Sequence, residues 1–479
     1  MTELNQPAVI SRAESTRAEP RRGALIGVAV LLATVTNAVA FMLPPLLPLM
    51  QTQFGVGVAA SAWVFTVLTL GGGAGFVLIP RLADMLSDRA TSLLSGGFLT
   101  VGALVPAIGH SYAALLIGSA LLGFGGAAQL LPLSFLRRHL TGSVVGTAVS
   151  ALIMAAGAGT VLGMVGGGVV VKTLSLASFF YILAAVFAVT TVALIVIIPS
   201  SRPESSGRIG IPGTVGLIAW VTAGLLALTQ GLSWGVAGIV LLAASVVGAV
   251  LWGLMERRSS AAVFDVKVLK KPLVSAACFA AGMVGAINAA YLILVTYYAQ
   301  TPPEVGYGLG IDALGTGVLT LPFALMMLIG GKASEAAVQR RPAAVLVLGG
   351  VVCALGLGWL AYAHQQQWQY LVGSAFIGLG SGLGYNGAFV VPQLAVPEDR
   401  AGMAAGMAGT MMAIGFSVGS AVVTAILTGG SAHGTGVPQE HLYTMGYVVS
   451  AGFSLLILVV TLVSRLRHRG AVAVGPAES

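Results

Sequence analysis

Long apolar runs separated by short polar or turn-forming stretches recur along the whole chain. The first extends from Ala24 to Leu47, and others follow near 57–80, 91–109, 112–136, 143–171 and 176–199. Each is close to the roughly 20 apolar residues that a helix needs to cross the hydrocarbon core. A polar break at 200–211 (SSRPESSGRIGI) precedes two tightly linked runs near 213–232 and 236–255, and a second polar stretch occupies 256–271. Six more runs fit near 273–298, 310–331, 342–363, 368–391, 402–427 and 441–464. The pattern predicts an all-α polytopic membrane protein of fourteen spans in the order 6+2+6. The expected divisions are a tail at 1–22, a six-helix bundle at 23–199, a linker with two extra spans at 200–271, a second six-helix bundle at 272–464, and a tail at 465–479.

Composition excludes a water-soluble protein: 57% of residues are apolar and 8% charged, against about 25% charged in a soluble domain. The 66 glycines are tolerated where membrane helices approach closely. The net charge of +8 would suggest nucleic acid in a soluble chain, but the basic residues sit in alternate loops with no interleaved aromatics. They read as topology signals, with no nucleic-acid partner. With a cytoplasmic N-terminus, 22 of the 23 Lys and Arg residues fall on the cytoplasmic side and Lys172 alone lies outside. Both termini are then expected in the cytoplasm. The run that follows the basic tail is too long for the core of a cleaved signal peptide. Cys278 and Cys353, the two cysteines, lie in apolar segments, so neither a disulfide framework nor a cysteine metal site is expected. No phosphate loop or His-Glu metal pattern is present. The chain is read as a non-enzyme without cofactor or metal.

An internal repeat supports two related halves. GSALLGFGG (Gly118–Gly126) returns as GSAFIGLGS (Gly373–Ser381), 255 residues later. RLADMLSDR places Asp84 and Arg89 five apart after the second span, and KASEAAVQR places Glu335 and Arg340 five apart after the tenth. Repeated halves with a site between them are a common plan for secondary transporters.

These motifs resemble the major facilitator superfamily, and in particular its fourteen-span bacterial drug:proton antiporter group. PRLADMLSDR (Pro80–Arg89) is similar to the family's loop signature between spans two and three, and GTVLGMVGGG (Gly159–Gly168) to the antiporter signature of span five, with Met164 where a proline is usual. The resemblance implies alternating-access efflux of small hydrophobic or amphipathic compounds from a bacterial plasma (inner) membrane, by a monomer, with protons as the coupling partner. Two departures bear on coupling. Ser119 stands where the family's fourth span carries an arginine, and no acidic residue precedes Leu43 and Pro44 in the first span. All fifteen acidic residues and all six histidines fall in tails, loops or span ends on this map, so no embedded carboxylate or imidazole is expected. Transport without proton coupling, by a facilitator or exchanger of a specific metabolite, and a non-transporting membrane scaffold stay open as other readings.

The candidate residues follow. The resemblance implies gating roles for Arg81, Asp84 and Arg89 at the loop and for Gly159, Gly163 and Gly167, whose spacing of four puts them on one helix face. Asn37, Gln129, Asn288, Tyr291, Tyr385 and Asn386 are uncharged polar side chains on spans that line the central cavity in this fold. An amide facing lipid is costly, so they are expected to face a cavity or a neighbouring helix. Asp84 and Asp312 are the coupling candidates that remain.

Overall fold

A computed structural model describes residues 7–132, 136, 143–198, 211–258, 269, 271–396, 401–429 and 437–473. Their secondary structure is helical almost throughout. In chain order the helices are α1 (Pro7–Phe54), α2 (Val58–Met85), α3 (Asp88–Gly109), α4 (Tyr112–Gly126, continued by a 3-10 turn, Ala127–Leu130), α5 (Ser143–Thr173) and α6 (Leu176–Ile197). Then come α7 (Ile211–Trp234), α8 (Val236–Arg258), α9 (Pro272–Gln300), α10 (Ala313–Leu319), α11 (Leu321–Arg340), α12 (Pro342–Tyr362), α13 (Gln367–Leu394), α14 (Ala401–Thr428) and α15 (Glu440–Ala473). Among the described residues, eleven segments are long and apolar enough to cross a membrane, with α10 and α11 counted as one. The glycines, Tyr385 and Asn386 that thread α13 lower its hydropathy, and it is not among them.

Helix starts are set locally. Ser87, Ser111 and Ser175 each accept a hydrogen bond from the backbone N–H three residues on, which caps α3, α4 and α6,. Prolines open α9, α11 and α12, where a missing N–H costs nothing. The tenth span departs from its expected bounds of 310–331. Pro322 interrupts it at Thr320, and the helix then runs on to Arg340. Glu335, placed in a loop by hydropathy, therefore sits on a helix.

Helices α1 to α6 pack chiefly as α1 on α5, α2 on α4, and α3 on α4 and α6. A second group packs as α9 on α14 and α15, α11 on α13, and α12 on α13 and α15. The groups meet along α2 and α14, and where α5 meets α10 and α11. Helix α7 lies outside the α2–α14 seam: Leu217, Val221 and Leu225 pack with Val274 and Cys278 of α9 and with Met407 and Ala421 of α14. Helix α8 rides on α7, held by Trp252 Nε1 donating to the Gly213 carbonyl at 2.6 Å and by Ser245 Oγ donating to that of Trp220 at 2.8 Å.

Glycines set the closest approaches. A Cβ on Gly159, Gly163 or Gly167 would meet the carbonyl oxygens of Thr34, Ala38 and Met42 on α1 at 2.3, 2.3 and 2.7 Å. That face therefore packs α5 on α1, inside one group. The glycines in contact across the groups are others, among them Gly157 against Leu328 of α11, Gly168 against Ala313 and Leu314 of α10, Gly317 against Met164, and Gly406 and Gly409 of α14 against Phe76 of α2.

Candidate functional site

Between the two groups lies a cavity of about 940 Å³. Its wall is mainly apolar: Val39 and Phe41 from α1, Phe65, Leu68 and Phe76 from α2, Leu122 from α4, Phe187 from α6, Met327 and Leu328 from α11, Phe389 from α13, and Met412 and Phe416 from α14. The near face is the one where α2, α11 and α13 end; the far face is the one where α1, α5 and α9 end. The cavity reaches toward the near face, because Glu335 and Gln339 from the last turns of α11 and Gln393 and Leu394 from the end of α13 line it.

The far face is closed by contacts between the groups. Lys172 Nζ at the end of α5 pairs with Asp312 Oδ2, the N-cap of α10, at 2.6 Å. Ser61 Oγ and Tyr297 OH share a hydrogen bond of 2.6 Å, and Gln300 Nε2 donates to the Pro45 carbonyl at 3.4 Å. Deeper in the bundle Thr66 bonds Ser420 at 2.8 Å and Thr69 bonds Ser417 at 2.7 Å, hydroxyl to hydroxyl. Thr66, Thr69 and Ser417 each have a carbonyl of their own helix within reach as an alternative acceptor. These hydroxyls keep a partner when the helices part, so separation leaves them no desolvated donor.

Five of the six polar candidates lie on the cavity wall: Asn37, Gln129, Asn288, Tyr385 and Asn386. Asn37 Nδ2 donates to Gln129 Oε1 at 2.9 Å, tying α1 to the end of α4. Asn386 Nδ2 donates to Ser334 Oγ at 2.8 Å, and the Tyr385 ring stacks on Phe389 with centroids 4.5 Å apart. Tyr291 is elsewhere. It is fully buried off the wall, its hydroxyl bonded to Ser374 and its ring stacked on Phe323, so its hydroxyl is spent on joining α9 to α13.

Of the loop candidates, Arg81 and Asp84 ride on the last turns of α2 with side chains outside the described residues. Arg89 Nε donates to the Ile195 carbonyl, which ties α3 to α6 within one group. Asp312 has its carboxyl held below the usual carboxylate range by the Lys172 ammonium and the backbone N–H of Gly315. It stays ionised at neutral pH.

The acids keep to helix ends, as expected, but three of them are not freely exposed to solvent. Glu335 is on the wall, the one charged side chain there among the described residues, and it pairs with Lys332 at 2.7 Å. Asp88 and Glu256 are buried near helix ends, 3% and 2% exposed. Glu335 was readable from helical spacing: Met327, Gly331, Glu335 and Gln339 step by four and all four line the cavity,.

The family profile of the Major Facilitator Superfamily matches residues 29–420 and again 274–477. The chain is 28% identical over 375 residues to the multidrug resistance protein Stp of Mycobacterium tuberculosis, covering 75% of this chain and 67% of that protein. It is 28% identical over 389 residues to the multidrug efflux pump LfrA of Mycolicibacterium smegmatis, covering 78% and 74%. The fold is similar to the crystal structure of the nucleoside transporter NupG, with a TM-score of 0.65 at 13% identity over 93% of this chain and 99% of that one.

Proposed function

The chain belongs to the Major Facilitator Superfamily, and from that premise we propose that this transporter exports neutral or amphipathic organic compounds by alternating access. The observation that carries the reading is the apolar cavity, reached from the near face and shut at the far face by Lys172–Asp312 and Ser61–Tyr297. The two six-helix groups rock about it, and the α7–α8 pair accompanies the α2–α14 seam, which gives the 6+2+6 arrangement. The protein works as a monomer in a bacterial plasma membrane with both termini in the cytoplasm, so the near face is cytoplasmic. The positions of Lys and Arg support that orientation. Export is supported by relatives named for multidrug resistance and efflux.

Proton coupling is the finer part of the reading. A carrier must lose and regain its proton between the two open states, and an acid beside a water-filled cavity suits this. Asp312 does not line the cavity and pairs with Lys172 across the two groups, so it serves instead to latch the far face, whereas Glu335 is on the wall and its partner Lys332 belongs to its own helix. Glu335, the one acid on the wall among the described residues, is the coupling residue of this reading. In vesicles loaded with a lipophilic dye, Glu335→Gln is expected to lower gradient-driven efflux to the rate of wild type without a gradient, while exchange of labelled for unlabelled dye persists. Wild-type efflux that is unchanged when the pH gradient is collapsed would instead support the facilitator.

A further inference from the structure

One buried donor on the cavity wall has no partner. Asn288, at the middle of α9, is 1% exposed and lines the cavity. Its Nδ2 has no hydrogen-bond acceptor, and it is the only buried orphan among the wall residues described. Of the other wall amides, Asn37 bonds Gln129, Asn386 bonds Ser334 and Gln393 bonds the Phe389 carbonyl. A buried donor left unmade is costly, and such groups normally find an acceptor.

The orientation of the amide is fixed from behind. Ser381 Oγ, itself fully buried on α13, donates to Asn288 Oδ1 at 2.7 Å. The neighbouring Cys353 thiol donates to the Ile377 carbonyl at 3.6 Å, with its sulfur 3.7 Å from Ser381 Oγ. Turning the amide over would make Ser381 an acceptor and leave its own hydrogen only the weakly accepting sulfur. Oδ1 therefore belongs to Ser381, and the N–H bonds belong to whatever fills the cavity.

We propose that Asn288 selects substrates that present a hydrogen-bond acceptor, a carbonyl or ether oxygen on an otherwise apolar framework, to the centre of the cavity. This deepens the transport reading and rests on it. A neutral apolar wall binds many frameworks with little discrimination, whereas one desolvated donor distinguishes an acceptor from a methylene of the same shape.

Three tricyclic probes of nearly equal size test it: fluorene, with no polar group; fluorenone, with a carbonyl acceptor; and carbazole, with an N–H donor. Dissociation constants are measured on the purified full-length protein. Fluorenone is expected to bind about tenfold tighter than fluorene, and Asn288→Leu to remove the preference, bringing the two affinities within about twofold of each other. If Asn288→Leu does not fold, Ser381→Ala, which frees the amide to turn, is expected to shrink the preference. Equal affinity for fluorene and fluorenone, or a preference for carbazole, would overturn the inference and leave the cavity reading standing. Failure of all three probes to bind would overturn both.

Discussion

Replacing Gly168 with leucine is expected to slow transport severalfold or more while the protein still folds and inserts. A Cβ at Gly168 would lie 2.3 Å from Leu314 Cα and 2.6 Å from the Ala313 carbonyl oxygen, both backbone atoms of α10. No rotamer relieves that contact, so α5 and α10 must separate. Their contact lies one turn from the Lys172–Asp312 pair that shuts the far face, and on the proposed alternating-access cycle it is broken when that face opens. The state open to the far face already requires the two helices apart and pays no such strain. Overpacking of about 1–3 kcal/mol on one state alone shifts the balance between states by about 5- to 150-fold. Dye efflux from vesicles is expected to fall by about fivefold or more from wild type, with the melting temperature within a few degrees of it. Efflux near the wild-type rate would show that α5 and α10 do not gate.

The second large effect is on folding itself. Gly415→Leu is expected to leave little protein that purifies as a single folded species. A Cβ there would lie 1.8 Å from the Gly282 carbonyl oxygen and 2.5 Å from its carbon, so α14 and α9 touch backbone to backbone. Gly285 and Gly419 extend the same close approach, against Met412 and Ala286 carbonyls at 2.2 Å each. Such packing depends on small residues, and a leucine must push apart two helices of the same group, whose contact the proposed rocking of the groups would leave intact. Any folded fraction is expected to melt at least about 5 °C lower. The control is Gly358→Leu on the outer side of α12, where nothing lies within 4 Å of an added Cβ; it is expected to behave as wild type. Normal yield and melting of Gly415→Leu would mean that the α9–α14 contact is not as described.

The fold was largely legible because hydropathy is dictated by the bilayer: apolar length fixes each span, and serine, aspartate and proline mark where helices begin. Helix faces were less legible. The spacing of Gly159, Gly163 and Gly167 identified a packing face, yet its partner, the carbonyls of α1, depends on tertiary arrangement. Tyr291 shows the same limit. Helix α9 is apolar all round and almost wholly buried, so its sequence carries no moment to say which polar residue meets the cavity and which meets Ser374. Asn288 and Tyr291, three apart, were indistinguishable on that ground. Glu335 was hidden because Lys332 ends the apolar run of α11 although the helix continues for two more turns, and hydropathy cannot see helix that reaches beyond the hydrocarbon.

Alternating access is most directly measured as two distances in one sample type. Spin labels on Leu86 and Arg341, at the near-face ends of the two groups, and on Gln53 and Glu304 at the far face, all exposed positions, report the two openings when Cys278 and Cys353 are replaced by alanine. The expected result on adding fluorenone or changing pH is reciprocal: the fraction with a shorter near-face distance equals the fraction with a longer far-face distance. A near-face distance that shortens while the far face stays fixed, or two faces that open together, would contradict it.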